Sequence, residues 1–412
     1  MRPGSLGFAL LLITSTPAVT QTSPAAPESN ASPEIVVTAQ RIQDFRDRLA
    51  QCLARHCPVN EDVDATLALA EAEFLNGDYA GGRTDVRASL ARNRNQARAF
   101  PEPVSDLWRA NARLDRHIGH DREAQMETFQ ILRALQTGIP QEDHRHFTAR
   151  LEIAEIQMAS GNLTGAHRAL TELVRVARAA GREDVAQVAE LRDASYQLMA
   201  YPTSDARARL VQWSRNDEPS GRMRRIGASL ILARLYRTEG NNAGSDALLA
   251  AVAAFSRSGT HRNLIYQPDY SLTQRDPNAG QQEQTLTQAI AFGSTLNRVT
   301  ENYENKWIDV GFWVMPNGRV SDVQVVRRGA SADWADPLLG SIRGRIYSQS
   351  AEATYRLERY TMTAGFDTTT GSRIARRGPA ARAEYLDLTA NGTDVPPTPT
   401  PPAAPAPHGS TP

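Results

Sequence analysis

Gly77 in "LNGDY", Gly119 in "HIGHD" and Gly161 in "ASGNL" stand 42 residues apart, and this spacing constrains the chain more than its composition does. Another step of 42 lands on Thr203 in "AYPTSD", and Gly240 in "TEGNN" follows 37 residues later. The stretches between these turns carry helix-period apolar positions, so each unit reads as two helices joined at a tight turn. Such a unit cannot bury its apolar face alone and has to stack on its neighbours. Small residues recur where the helices of a hairpin would cross. Ala70, Ala112, Ala154, Tyr196 and Ala233 lie seven before the turn, and Gly82, Ala124, Ala166, Ala208 and Ser245 lie five after it. Larger residues such as Leu90, Leu132, Leu173 and Leu248 fill the layers beside them, and breaks at Pro101, Pro140, Gly181 and Pro219 separate one hairpin from the next.

This pattern of small residue, glycine turn and small residue resembles the tetratricopeptide repeat family. The resemblance covers about half of the chain and implies a solenoid whose concave face binds a peptide or a protein. The longer period implies longer helices than the family's usual unit of about 34 residues.

After a polar stretch rich in turn residues, the period changes. "WIDVGFWVM", Trp307 to Met315, alternates Ile308, Val310, Phe312 and Val314 against Asp309 and Gly311, which predicts a half-buried strand. "PNGR" then supplies Asn317 and Gly318 for a tight turn, and "VSDVQVVR" completes a hairpin. "SADWADPLLGSIRGRIYS" predicts a helix packing Trp334, Leu338, Leu339 and Ile342, and Tyr355 to Phe366 predicts a third strand. Over Lys306 to Asp367 this order, led by "V-x-F-x-V-x-P-x-G-R-V-x-D-V-x-V", is similar to the C-terminal domain of TonB, which contacts outer-membrane transporters. TonB proteins hold that domain on a membrane anchor through a proline-rich spacer. Here the proline-rich segment lies at the far C-terminal end and no anchor precedes the domain.

Near the other end, "PEIVVTAQR", Pro33 to Arg41, is similar to the TonB box of outer-membrane receptors. Ile35, Val36, Val37 and Thr38 are strong strand formers, and the mode the resemblance implies is addition of this segment to an exposed sheet edge. The edge it nominates is the third strand, through Tyr355, Leu357, Arg359, Thr361 and Thr363. The box could pair with this protein's own sheet, in the same or a neighbouring molecule. It could recruit a TonB-system component or belong with an outer-membrane receptor, or it could be an inert apolar stretch in a linker.

"MRPGSLGFALLLITSTPAVT" carries one arginine, an apolar core from Leu6 to Ile13 and then small residues, which is the form of a secretory signal peptide with cleavage after Ala18. Its core is too short to cross a bilayer and no later segment approaches eighteen apolar residues in a row, so no membrane span is expected in the mature chain, and the expected compartment is the periplasm. In an oxidising compartment the two cysteines of the chain, Cys52 and Cys57 in "CLARHC", are expected to form a disulfide that pins the end of a first helix. A metal or redox site using His56 is the alternative, and it lacks a second ligand cluster.

Acidic and basic residues balance at 46 each, which gives no electrostatic footprint for nucleic acid. Glu142, Asp143, His144 and His146 in "QEDHRHF", with His117 and His120 in "HIGH", would be the material for a metal site, but both groups fall at repeat turns, where polar residues belong anyway. No nucleophile elbow, phosphate-binding glycine loop or dinucleotide fingerprint is present.

The expected fold is therefore mixed α and α/β: a helical-hairpin, tetratricopeptide-like solenoid followed by a small TonB-C-terminal-like domain of hairpin, helix and strand. The expected boundaries are a signal peptide at 1–20, a linker with the box at 21–43, the solenoid at 44–256, a linker at 257–284, the small domain at 285–377 and a proline-rich tail at 378–412. The expected function is non-enzymatic protein binding or scaffolding in TonB-dependent transport, with no cofactor, no metal and no nucleic acid. The alternatives are an energy transducer working through a partner's anchor, and a metal-dependent enzyme.

Overall fold

A computed structural model describes residues 33–201, 205–216, 218–255, 263–268, 270, 272, 305–365 and 380–389. The signal-like leader, most of the 257–284 linker and the tail beyond 389 lie outside these residues.

Eleven helices come first among the described residues. Helix α1 (Pro33–Ala54) precedes five hairpins: α2 (Val59–Leu75) with α3 (Tyr79–Asn93), α4 (Pro101–His117) with α5 (Asp121–Gln136), α6 (His144–Ala159) with α7 (Leu163–Ala179), α8 (Glu183–Ala200) with α9 (Ala206–Ser214), and α10 (Arg222–Thr238) with α11 (Asn242–Phe255). The turns form for a local reason. Gly77, Gly119, Gly161 and Gly240 all adopt positive φ, between 73° and 85°, which closes a helix end without a Cβ penalty. Asp78, Asn162 and Asn241 follow the glycine and accept from a backbone N–H three residues on.

The small residues sit at the crossings. Ala70, Ala112, Ala154, Ala233, Ala124, Ala166 and Ser245 are all buried, and a Cβ on Gly82 would lie 3.2 Å from the carbonyl of Ala70. The fourth hairpin departs from the strict 42-residue step. There Ala208 is exposed and Tyr196 half-buried, while Ala194 and Ala206, two residues earlier, are fully buried. The sequence has no glycine at the 42-residue step there, and the contact register shifts.

The box-like segment is helical in this state. Residues 33–41 form the first turns of α1 rather than an extended strand, and α1 continues to pack Ile42 and Leu49 on Leu69 of α2. The 21–43 stretch is therefore not all linker. Cys52 and Cys57 are joined as a disulfide with their Cα atoms 5.1 Å apart, at the end of α1 and just ahead of α2.

The C-terminal part holds β1 (Leu264–Tyr266), β2 (Trp307–Val314), β3 (Val320–Arg328), α12 (Asp336–Arg343), β4 (Ile346–Tyr347), β5 (Thr354–Gly365) and β6 (Ala380–Asp387). One sheet has the order β3-β2-β5-β6 with every neighbour antiparallel, and β1 pairs with β4 in a second, two-stranded sheet. Gly318 at φ 80° and the hydrogen bond from Gly318 N to Met315 O, 2.8 Å, close the β2–β3 turn.

Three expectations change here. Strand β2 is buried on both faces rather than one. Strand β5 lies in the interior of the sheet, because β6 pairs along it from Glu358↔Asp387 to Gly365↔Ala380. Residues 380–387, placed by sequence in a tail, are thus part of the sheet, and residues 264–266, placed in a linker, are a strand. On one face Ile308, Val310, Phe312 and Val314 pack with Leu338 and Ile342 of α12, beside a buried network in which Arg345 donates to Glu358 at 2.6 Å and to Tyr360 at 2.6 Å. The other face of the sheet rests on the solenoid.

Candidate functional site

Alternation puts Trp307 and Asp309 of β2, Arg359, Thr361 and Thr363 of β5 and Arg382, Glu384 and Leu386 of β6 on one face, in mutual register. That face meets the turns of the first two hairpins. Arg359 is the centre of the contact and is fully buried. Its Nη1 donates at 2.9 Å to the carbonyl of Phe74, which also accepts from Gly77 N at 3.0 Å, and its Nη2 donates at 2.8 Å to the carbonyl of Leu75, so the guanidinium adds donors at the end of α2. It also pairs with the fully buried Asp309, donates to Tyr79 Oη at 3.2 Å and stacks on Trp307, with Cζ 3.8 Å from the ring centroid. Burial pushes the Arg359 guanidinium down, and its bond to Asp309 more than restores it, so the net shift is upward.

Polar contacts continue along the seam. Thr361 Oγ1 lies 2.8 Å from Tyr79 Oη and 2.9 Å from His117 Nδ1. His117 stacks edge-on against Phe74 at 4.8 Å, and burial, followed by Arg116 and Arg359, lowers its pKa to about 3, so it is neutral at ordinary pH. Arg116 donates to Glu384 at 2.8 Å, and Arg382 donates to Asp121 at 2.6 Å. At the far end of the solenoid Arg234 Nε donates to Leu264 O at 2.8 Å, and Ile265 and Ile346 pack on Ala233 of α10. The C-terminal part thus contacts the first two hairpins and the last one.

The residues nominated as a peptide-accepting edge are therefore already engaged. Leu357, Arg359, Thr361 and Thr363 are buried, and Tyr355 is half-buried with its ring 5.3 Å from Trp313. Their strand has a neighbour on each side, so it offers no free edge for Ile35, Val36, Val37 and Thr38, which stand in α1.

What stays open is a wedge of about 250 Å³ beside the end of β6. Leu67, Ala70 and Phe74 of α2 form one wall, Ala110 and Leu114 of α4 the other, and Leu386 and Leu388 close one side. Four charged residues rim it, Glu71, Asp106, Arg109 and Arg113. Arg109 is tied to Asp106 at 2.6 Å and to Glu152 at 2.8 Å. Arg113 is exposed and makes no hydrogen bond or ion pair among the described residues. Desolvation by burial and then Arg109 pull its pKa down, against the opposing fields of Glu152 and Glu71. An apolar cleft with one uncommitted guanidinium can take an extended segment that carries an apolar side chain and a carboxylate.

The histidine-rich groups do not converge on a metal. Asp143 caps α6 and holds Arg145 at 2.8 Å, and that bond keeps its carboxyl far below the usual range. His146 Nε2 donates to the carbonyl of Ile139 at 3.1 Å, His144 is exposed, His120 Nδ1 meets Asp115 at 3.2 Å, and His117 belongs to the seam. The one grouping with metal-like geometry among the described residues is Cys52, Cys57 and Glu61, whose two sulfurs are committed to the disulfide. Elsewhere His167 Nδ1 lies 2.7 Å from Asp193 in an open groove, and that nitrogen meets Asp193 and Gln197 rather than a hydroxyl or thiol.

Sequence reasoning missed β6, Arg113 and Arg116. "AARAEYLD" does alternate, but its alanines are weak strand formers, and nothing in the sequence distinguishes Arg113 from the other arginines.

No protein-family model matches the chain, and no curated protein does. Among solved structures, BtubC (BKLC) from P. vanneervenii aligns at 15% identity over 54% of this chain and 94% of that one, with a TM-score of 0.41. A kinesin light chain protein of Podosopora anserina with nearly identical TPR-like repeats aligns at 18% identity over 48% of this chain and 97% of that one, with a TM-score of 0.36. A variant of the same fungal protein aligns at 19% identity over 49% of this chain and 97% of that one, with a TM-score of 0.38.

Proposed function

We propose that this chain is a non-enzymatic protein-binding scaffold that accepts an extended peptide in the wedge between α2, α4 and the end of β6. The observation that carries the reading is Arg113, an exposed residue with no hydrogen bond or ion pair among the described residues, at the rim of a leucine-walled cleft and in the field of Glu71 and Glu152. Two continuous helices and a strand end frame the cleft, and the seam around Arg359 holds them together, so the site is pre-formed. The wedge takes over the role first assigned to the edge of β5.

The setting we propose is the periplasm, in or beside TonB-dependent uptake. It is supported by the leader "MRPGSLGFALLLITSTPAVT", by the Cys52–Cys57 disulfide, and by the likeness of Lys306 to Asp367 to the TonB C-terminal domain. A TonB-system component, an outer-membrane receptor and another copy of this chain are the partner classes.

The test is a titration of the full chain with a fluorescent peptide of residues 33–41, which carries Glu34 ahead of an apolar run. Saturable binding is expected, with Arg113→Glu weakening it at least about tenfold, since a charge-assisted hydrogen bond contributes about 1.5–3 kcal/mol. Absence of binding at millimolar peptide, or equal binding by the variant, refutes the site.

A further inference from the structure

The chain itself arrives at the wedge. Leu386 and Leu388 line it, and the strand end is fixed up to Thr389, whose Oγ1 accepts from Leu357 N at 3.1 Å and whose N–H donates to Asp387 at 2.9 Å. Residues 390–412 follow directly, with eight prolines among 23 residues and one acidic side chain, Asp394. Asp394 lies five residues past Thr389, a reach of up to about 17 Å when extended. It is followed at once by Val395, Pro396 and Pro397.

We infer that residues 390–400 are the wedge's own occupant, with Asp394 on Arg113 and the Val-Pro-Pro run against the leucines. This rests on the reading of the wedge as a peptide site. Three features support it. The charge signs match, since Arg113 is uncommitted and Asp394 is the one carboxylate side chain in the segment. A proline-rich segment favours the extended polyproline II form, so it gives up little entropy on docking in an apolar groove. Asp394 lies only five residues past Thr389, and a tether of that length gives effective concentrations in the millimolar range. At about 1 mM, even a segment with a dissociation constant near 0.1 mM fills the site, and an external peptide then binds about tenfold more weakly. The tail therefore sets a threshold: only a partner that outcompetes it, or that draws it away, gains the wedge.

The experiment uses the full chain with a photoreactive residue at Ala110 and mass-spectrometric mapping of the crosslinks. It is paired with titration of the fluorescent 33–41 peptide into the parent chain and into its Asp394→Lys form. Crosslinks within one molecule to residues 390–400, lost in Asp394→Lys, together with about tenfold tighter peptide binding by that variant, support the inference. Arg113-dependent peptide binding that is the same in both forms, with no crosslink to 390–400, overturns it and leaves the peptide site standing. Absence of both binding and crosslink removes the site and the inference together. Crosslinks formed only between molecules assign the wedge to a second copy and overturn the intramolecular reading.

Discussion

Replacing Arg359 with methionine should detach the sheet from the solenoid without unfolding the helices. Methionine keeps most of the stem and removes the charge. The side chains of Arg359 and Asp309 are both fully buried, and breaking such a pair from one side costs about 3–5 kcal/mol because the other charge stays uncompensated. Arg327, which also donates to Asp309 at 2.8 Å, places the cost toward the lower end of that range. The Leu75 carbonyl loses the Arg359 donor, at about 1 kcal/mol if no water reaches it, the Phe74 carbonyl keeps the Gly77 N–H, and the stacking on Trp307 is lost. These contributions share one side chain and do not add, so the expected loss is about 4 kcal/mol. A chain built of two parts need not melt in one step, so native-state hydrogen exchange is the appropriate assay. Amides of Trp307–Val314 and Thr354–Gly365 should lose protection while those of α6 and α7 keep theirs. The double variant Arg359→Met, Asp309→Leu should recover at least half of the loss, since Arg327 is partly exposed and can turn to water. A loss below about 1 kcal/mol for the single variant, or no recovery in the double, would refute the assignment of Arg359 as the anchor.

Stability should follow a pH profile with two opposing limbs. Burial lowers the pKa of His117 to about 3, so unfolding takes up a proton below about 6.5, and stability falls as pH drops through that window. Burial, and then Asp115, pushes the Glu127 carboxyl up to about 8, so the folded state keeps a proton that the unfolded chain loses above about 4.3, and stability falls as pH rises toward 8. Each limb has a slope of at most about 1.4 kcal/mol per pH unit, and they cancel between about 4.3 and 6.5. In urea titrations across pH, Glu127→Gln should remove the alkaline limb and extend the acid limb up to about 6.5, and His117→Gln should remove the acid limb and start the alkaline one near about 4.3. Gly77→Ala and Gly161→Ala test the turns: both force an alanine to positive φ at about 1–2 kcal/mol, but a Cβ at Gly77 would also overlap the Trp307 indole, whereas nothing lies within 4 Å at Gly161. Denaturation should show Gly77→Ala to be the costlier by at least about 1 kcal/mol, and equal costs would mean that the indole does not rest on this turn.

The helical half was legible because its signals are local. A glycine needed at positive φ, a small residue where two backbones cross and a proline in the first turn of a helix each act within one hairpin, so Gly77, Ala70 and Pro101 could be placed by counting. Counting failed at the fourth hairpin, where no glycine fixed the turn and the contact moved to Ala194 and Ala206. The β2–β3 hairpin was legible for the same reason, through Asn317 and Gly318. Strand β6 was not, because "AARAEYLD" has weak intrinsic strand preference and is held in place by pairing with β5.

The sequence by itself determined the glycine turns and the helices flanking them, the strand character of Trp307 to Val314, and the closeness of Cys52 to Cys57. All of these follow from the periodicity and conformational limits of neighbouring residues. Tertiary structure alone decided which face of the sheet is spoken for and which cleft is left open. Arg359 meets Phe74 across 285 residues and Tyr79 meets Thr361 across 282, and no local preference encodes a contact at that separation. It arises because the Leu75 carbonyl ending α2 and the buried Asp309 each require a donor, and one guanidinium can serve both only when the sheet lies on the turns.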